Sequence, residues 1–350
     1  MTKRYLGNII TQNPTAPAGP YEDSAASGVW SLAEAFSYTK AGLWPTAGRV
    51  LPHALIAGGS TTGGSPYLST VDYINIETTG NASDFGDMGF QRRGMGACGS
   101  STRAVIGGGD DGGAPRESMQ YTTFATTGTF ANFGNLAEEE FGVTAFSSST
   151  RGVFAGGLSD NIGVNNIMQY ITIASTGNAT DFGDLLVVLY FASSCASSTR
   201  GVIFGGYDDN VDSINPIQYV TIASTGNATD FGDLIAATAG TAAASSATRG
   251  VVAGGFTNGI VNTIQYVTLA STGNATDFGD LTVAASFCAA ASSPERAIFA
   301  GIPQFLGGPI SSIDYVTIAN TGNAADFGDL TSTRQERPTG CSNAHGGLAA

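Results

Sequence analysis

The sequence predicts an all-β protein, a six-bladed β-propeller, on two observations. First, one segment of about 49 residues recurs six times, its Phe falling at Phe85, Phe133, Phe182, Phe231, Phe278 and Phe327 in steps of 48, 49, 49, 47 and 49. A Tyr stands 12 residues ahead of each, at Tyr73, Tyr121, Tyr170, Tyr219, Tyr266 and Tyr315. A period in the high forties, built of short strand-like pieces, marks a propeller blade, which buries its faces only against its neighbours. Second, the 350 residues include 49 Gly and abundant Thr, Ser, Ala and Val, with few long helix-forming side chains. Six signatures favour six blades, with seven as the alternative.

The elements follow in chain order. Residues 1–45 form an arm distinct from the repeats. Asn13–Pro20 is Pro-rich and extended or irregular, since X-Pro steps disfavour helix. Ser31-Leu32-Ala33-Glu34 is a capping box that starts a short helix, and Gly42 can close it. Trp30, Leu32, Phe36, Leu43 and Trp44 give the arm apolar surface for attachment to the propeller or to a partner. Residues 46–350 are the propeller. Each repeat reads as a small-residue strand (Ala242–Ser246), a second strand from Arg249 to Ala253 ending in Gly254-Gly255, a third from Ile264 to Ala270, and a fourth around Asp277-Phe278-Gly279. Thr272-Gly273-Asn274 supplies the residues of a tight turn between the last two. The first repeat has little room for its own innermost strand. Thr339–His345 aligns with that strand and its turn in the other repeats, so residues 331–350 are expected to close the first blade and remove its free edge.

Charge narrows the partners. A net charge of −14 argues against nucleic acid and anionic membranes, which need clustered Lys and Arg. The longest apolar run, near Leu185–Ala192, is too short to span a bilayer, and no apolar core follows Lys3 and Arg4. The expectation is a chain made in the cytosol, without membrane insertion. Cys98, Cys195, Cys288 and Cys341 match neither a disulfide framework nor a metal motif and read as buried small residues.

Candidate chemistry is sparse. Arg103, Arg151, Arg200, Arg249 and Arg296 recur in step with the repeat, and His53 and His345 stand in the matching places at the two ends. Repeat-related residues spread around a ring rather than converge on one point. These arginines are therefore expected to be structural, pairing bidentately with carboxylates or carbonyls between blades; the paired acids and amides such as Asp277 and Asp280 are the matching set. Two histidines are too few for copper, zinc or Ser-His-Asp chemistry, so no catalytic residue, cofactor or metal is expected. The Asp-rich loops fit no EF-hand spacing.

The internal variation is more informative. The links from the second-strand glycines to the repeat Tyr differ in length and content, and propeller connectivity places them on one face. They hold Tyr67, Asp110, Asp111, Asp160, Tyr207, Asp208, Asp209, Asn258 and Phe305, the candidate binding residues. The Thr-Gly-Asn turns lie on the other face and barely vary. A divergent face on a repetitive scaffold is where recognition is expected.

The Gly-Gly pair, the following Tyr and the later aromatic resemble the kelch repeat, with Phe where kelch blades usually carry Trp. The stretch from Ala26 to Leu32, with Ala41-Gly42-Leu43-Trp44-Pro45, looks like the leader of tailed-bacteriophage virion proteins. Blades carrying the phrase Ser271–Leu281 also resemble phage structural proteins. This resemblance implies a kelch-like propeller in a non-enzymatic virion protein of the tail or its appendages, assembled in the host cytoplasm. It implies other virion proteins as partners of the arm, and host-surface glycan or protein as a contact of the loop face. A passive decoration or adaptor on capsid or neck is the alternative, and a polysaccharide-cleaving enzyme a distant one. No heptad specifies an oligomer, so homo-oligomerisation stays open.

Overall fold

The computed structural model describes residues 31–40, 51–61, 66–128, 130–210, 212–301, 310–334 and 336–348. The chain divides into two units, Met1–Leu51 and Pro52–Ala350. In the first, the described element is a helix, Leu32–Lys40. Its capping box is formed: the Glu34 amide donates to Ser31 Oγ at 3.2 Å, and the Ser31 amide donates to Glu34 Oε2 at 3.0 Å. Phe36 is exposed on this helix. Trp30, Gly42, Leu43, Trp44 and the Leu32 side chain lie outside the described residues, as does the X-Pro segment.

The second unit is a six-bladed propeller of antiparallel four-stranded sheets. The fifth blade sets the pattern: inner strand Ala242–Ser245, second Arg249–Ala253, third Thr263–Thr268, outer Thr276–Asp280. Blade one is made from both ends of the unit. Thr339–Ser342 pairs with His53–Ala57, with Leu55 opposite Cys341, and so serves as its inner strand. Six apolar clusters each fill one blade–blade interface; Phe278, for example, packs with Ala297, Phe299 and Ile318 of the next blade. Hydrophobic burial is thus shared between blades rather than held inside any one of them, which makes closure a condition of stability.

Three rings of polar contacts explain the repeated letters. The outer strand of one blade takes the turn of the next: Asp280 N–H donates to Asn323 Oδ1 at 3.1 Å, and Asp329 N–H to Asn81 Oδ1 at 3.1 Å, across the closure. The outer-strand Gly is forced by the same approach. A Cβ on Gly134, at φ 146°, would lie 2.3 Å from the Gly177 carbonyl oxygen. The residue before each Tyr reaches back one blade: Gln120, Gln169, Gln218 and Gln265 accept backbone N–H donors at 2.5 to 2.9 Å, and Asp314 and Asp72 take the same place. Asp72 also pairs with Arg334 at 2.5 Å, both fully buried, at the blade six–blade one junction.

The third ring decides between the two partners expected for the repeat arginines. Arg103, Arg151, Arg200, Arg249 and Arg296 bond to carbonyls between blades and not to the acids, and through Nη1 alone rather than bidentately. Each sends Nη1 to a carbonyl just past the end of the next blade's third strand, at 2.8 to 3.0 Å for Ile173, Ile222, Leu269 and Ile318, and 2.7 Å for Glu77. Each guanidinium also lies over the Tyr of its own blade, 4.3 to 5.1 Å from the ring centre. The reason is position. The Arg begins its strand beside the third strand, whereas the acids sit on the exposed outer strand. His53 fills the Arg place in blade one by stacking on Tyr73 at 4.4 Å. Tyr73 then lies nearly parallel to Phe85, at 23°, whereas the other five Tyr–Phe pairs meet edge-on at 75 to 79°.

Candidate functional site: the mouth of the central channel

The six inner strands enclose a channel. At the start of each stands a residue in the left-handed region: Gly94, Gly142, Phe191, Gly240, Phe287 and Arg337. Their backbones join in a closed ring of six hydrogen bonds. Arg337 N–H donates to the Phe287 carbonyl at 3.2 Å, Phe287 to Gly240 at 2.7 Å, Gly240 to Phe191 at 2.9 Å, Phe191 to Gly142 at 2.8 Å, Gly142 to Gly94 at 2.8 Å and Gly94 to Arg337 at 3.0 Å. This collar fixes the channel mouth on the face that carries the variable loops. Glycine occupies the three collar places where a neighbouring ring comes close; a Cβ on Gly142 would meet the Phe191 ring at 2.7 Å, and one on Gly240 the Phe287 ring at 2.7 Å. The other three places hold side chains despite φ of 54°, 57° and 55° at Phe191, Phe287 and Arg337. That conformation costs about 1–2 kcal/mol for a residue with a Cβ.

Those side chains build an aromatic and arginine cluster over the mouth. The Arg337 guanidinium lies 4.1 Å from the centre of the Phe191 ring, 4.7 Å from Phe287 and 5.2 Å from Phe141. Phe191 meets Phe141 and Phe287 edge-on at 5.0 and 5.3 Å. Tyr190 packs on Phe191 at 4.8 Å and on Tyr207 at 5.6 Å. Beside them Arg93 binds Glu336 and lies 3.4 Å from Asp110, with its guanidinium 4.9 Å from the Tyr67 ring. Burial lowers the Arg337 pKa to about 10, Arg93 adds to the fall, and Glu336 opposes it. Burial raises the phenols of Tyr190 and Tyr207.

Below the collar the channel holds a cavity of about 110 Å³ and, deeper, one of about 50 Å³. Small residues line both, among them Ala97, Ala145, Ser194, Ala243 and Ala290. The far end is closed by His345 and the residues that follow it. After its inner strand the chain turns through the 3-10 turn Gly346–Leu348, where a Cβ on Gly347 would meet the Ser147 carbonyl at 1.9 Å. His345 therefore does not occupy the place of an Arg, as its spacing suggested; it forms part of the channel floor. Its Nε2 lies 3.0 Å from the Gly99 carbonyl and 3.2 Å from Ser147 Oγ. Nδ1 accepts the Gly347 N–H at 3.1 Å, so in the neutral ring the proton is on Nε2. An Nε2 that donates to a carbonyl cannot take a proton from Ser147, and the Ser–His contact is structural. Burial lowers the pKa of this imidazole.

The structure brings three of the sequence-predicted loop residues to the mouth. Tyr67 donates its hydroxyl to Asp110 at 3.3 Å, and Tyr207 packs on Tyr190. The others serve locally. Asp111 pairs with Arg116 at 2.6 Å, Asp208 accepts the Asn210 and Asp212 amides at 2.9 and 3.0 Å, and Asp209 accepts from Asn210 at 3.2 Å. Asp160 and Asn258 are exposed on their loops. Phe305 lies outside the described residues. Sequence reasoning missed Arg93, which begins the inner strand of blade two, and Phe141, Tyr190, Phe191, Phe287, Glu336 and Arg337, which sit on the links from one blade's outer strand to the next blade's inner strand. A signal existed: aligned repeats set Phe191, Phe287 and Arg337 against Gly94, Gly142 and Gly240.

All four cysteines are buried and free, and burial pushes Cys195, Cys288 and Cys341 up to about 12. Among the described residues no group of three or more His, Cys, Asp or Glu side chains is placed to hold a metal ion, and no helix is long and apolar enough to cross a membrane. The mouth can bind by ring stacking, cation–π contact and charge-assisted hydrogen bonds. No protein-family model matches the chain, and no curated protein matches it.

Proposed function

We propose that this protein is a non-enzymatic virion component of a tailed bacteriophage, on the tail or its appendages, whose variable face contacts the host surface. The observation that carries the recognition role is the contrast between the two faces. The Thr-Gly-Asn turns are held alike by bonds between blades. The opposite face varies in every blade and gathers Tyr67, Tyr190, Tyr207, Arg93 and Arg337 around one opening. Tyr and Arg are the side chains most used where a surface must bind. The virion assignment rests on the likeness of the Ala26–Leu32 and Ala41–Pro45 segments to phage leaders. In this reading the arm joins other virion proteins through Trp30, Leu32, Phe36, Leu43 and Trp44.

Immunogold labelling of purified particles with antibody against the propeller tests the assignment. Label at the distal tail is the expected result. Label on capsid or neck would replace it with a decorating or adaptor role, and no label on any particle would overturn the virion reading. Turnover of host polysaccharide by the pure protein would overturn its non-enzymatic part.

A further inference from the structure

Arg337 is the one collar residue with a charged side chain, and its setting does not suit a purely structural role. Its guanidinium is flanked by three Phe rings and has no hydrogen-bond or ion-pair partner among the described residues; its buried Nε has none. Arg93 next to it is saturated by Asp110 and Glu336, and the five repeat arginines each find a carbonyl. A buried donor without an acceptor costs about 1–3 kcal/mol, more when charged. The left-handed backbone at this residue, φ 55°, adds strain that Gly94, Gly142 and Gly240 avoid at the equivalent places. Two unfavourable features on one residue, at the lip of a cavity of about 110 Å³, are the mark of a group awaiting a ligand.

We propose that the channel mouth is a binding site for a carboxylate carried on a sugar ring, with Arg337 as its anchor. The fork of a guanidinium matches a carboxylate in two parallel hydrogen bonds. The rings of Tyr190 and Tyr207 beside it offer flat apolar faces of the kind on which a sugar packs, with hydroxyls at their rims. Asp110 and Glu336 make the surroundings acidic, but both already face Arg93. Their repulsion on a ligand is screened over about 8 Å at physiological salt, whereas the bare guanidinium donors act at contact. The ligand is a free acidic sugar or an acidic unit of a surface polysaccharide. The inference deepens the recognition reading above and rests on the same face.

The test is calorimetric titration of the full-length protein with glucuronate, a glucuronate-containing oligosaccharide and, as the neutral control, glucose. Arg337→Asn removes the cation and keeps a residue that tolerates the left-handed region. Arg337→Lys keeps the charge and loses the fork, and Arg116→Gln removes an arginine that begins the third strand of blade two, where it pairs with Asp111. The expected result is saturable, salt-sensitive binding of glucuronate or the oligosaccharide but not glucose. Arg337→Lys should weaken it at least tenfold, Arg337→Asn abolish it, and Arg116→Gln leave it unchanged. Binding of the free sugar identifies a monosaccharide site; binding of the oligosaccharide alone identifies a polymer source. No binding of either acidic probe, or equal binding by a folded Arg337 variant, overturns the proposal. Binding of the same protein to intact host cells, measured in parallel, separates the two readings: cells bound without any carboxylate binding would sink this inference and leave recognition standing.

Discussion

At the scale of single residues the clearest liability is Glu140. It is 1% exposed, ends the outer strand of blade two, and receives the Asn165 amide at 3.0 Å on both oxygens. Burial raises its pKa from 4.5 to about 8; the Asn165 hydrogen bond opposes the rise, and Glu138 and Glu139 add to it. Below about pH 4.5 the group is protonated in folded and unfolded chains alike, and there is no penalty. Between about pH 4.5 and 8 the unfolded chain releases the proton while the folded chain keeps it, so stability falls as pH rises. Glu140→Gln should therefore stabilise the protein by on the order of a few kcal/mol at pH 8 and change little at pH 4.5. Thermal unfolding at the two pH values checks this, and equal effects at both would refute it. His345 has the opposite sign. Its lowered pKa makes its contribution complete above about pH 6.5 and lost as pH falls below that value.

At the scale of the element, the outer strand and the following blade's turn are two halves of one contact. Gly134 sits with φ 146° and its missing Cβ would fall 2.3 Å from the Gly177 oxygen, whereas a Cβ on Gly177 meets nothing within 4 Å. The same substitution on either side should then differ sharply. Gly134→Ala should cost roughly 3 kcal/mol, from strain plus separation of the two blades, and Gly177→Ala roughly 0.5 kcal/mol or less. Urea unfolding of the pair measures it, and similar losses would mean the contact yields more easily than its geometry suggests. The same reasoning explains why the signature is written as Asp-Phe-Gly-Asp. The Phe fills the interface, the Gly admits the neighbour's turn, and the second Asp offers its backbone N–H to the neighbour's Asn.

At the scale of the whole molecule, the closing strand and the floor turn come from adjacent residues but do different work. A chain ending at Arg337 lacks Thr339–Ser342 and leaves the edge of His53–Ala57 unpaired, with Leu55 and Ala57 of the blade one–blade two cluster uncovered. It should lose cooperative unfolding and self-associate, as exposed strand edges do. A chain ending at Asn343 keeps the strand and loses only the floor made by His345 and Gly346–Leu348. It should stay monodisperse to the same degree as the full chain, with a lower Tm. Light scattering after size-exclusion chromatography separates the two outcomes.

The sequence by itself determined the period, the four strands of each blade and the strand that closes the ring; its six signatures favoured six blades over seven, and the six sheets of the structure fix that number. These follow from local patterning repeated in phase: a small-residue strand, an Arg-led strand, a Tyr strand and a Phe-Gly strand at fixed spacing. It also pointed to the variable face, and Tyr67, Asp110 and Tyr207 lie at the mouth on it. Only the tertiary structure decided which residues meet there. Phe141, Phe191, Phe287 and Arg337 are separated by about one to four repeats and converge because the ring brings the start of every inner strand to one axis. The partners of the repeat arginines were decided in the same way. Chain spacing says which residues are equivalent, but the sideways packing of one blade on the next says which of them touch.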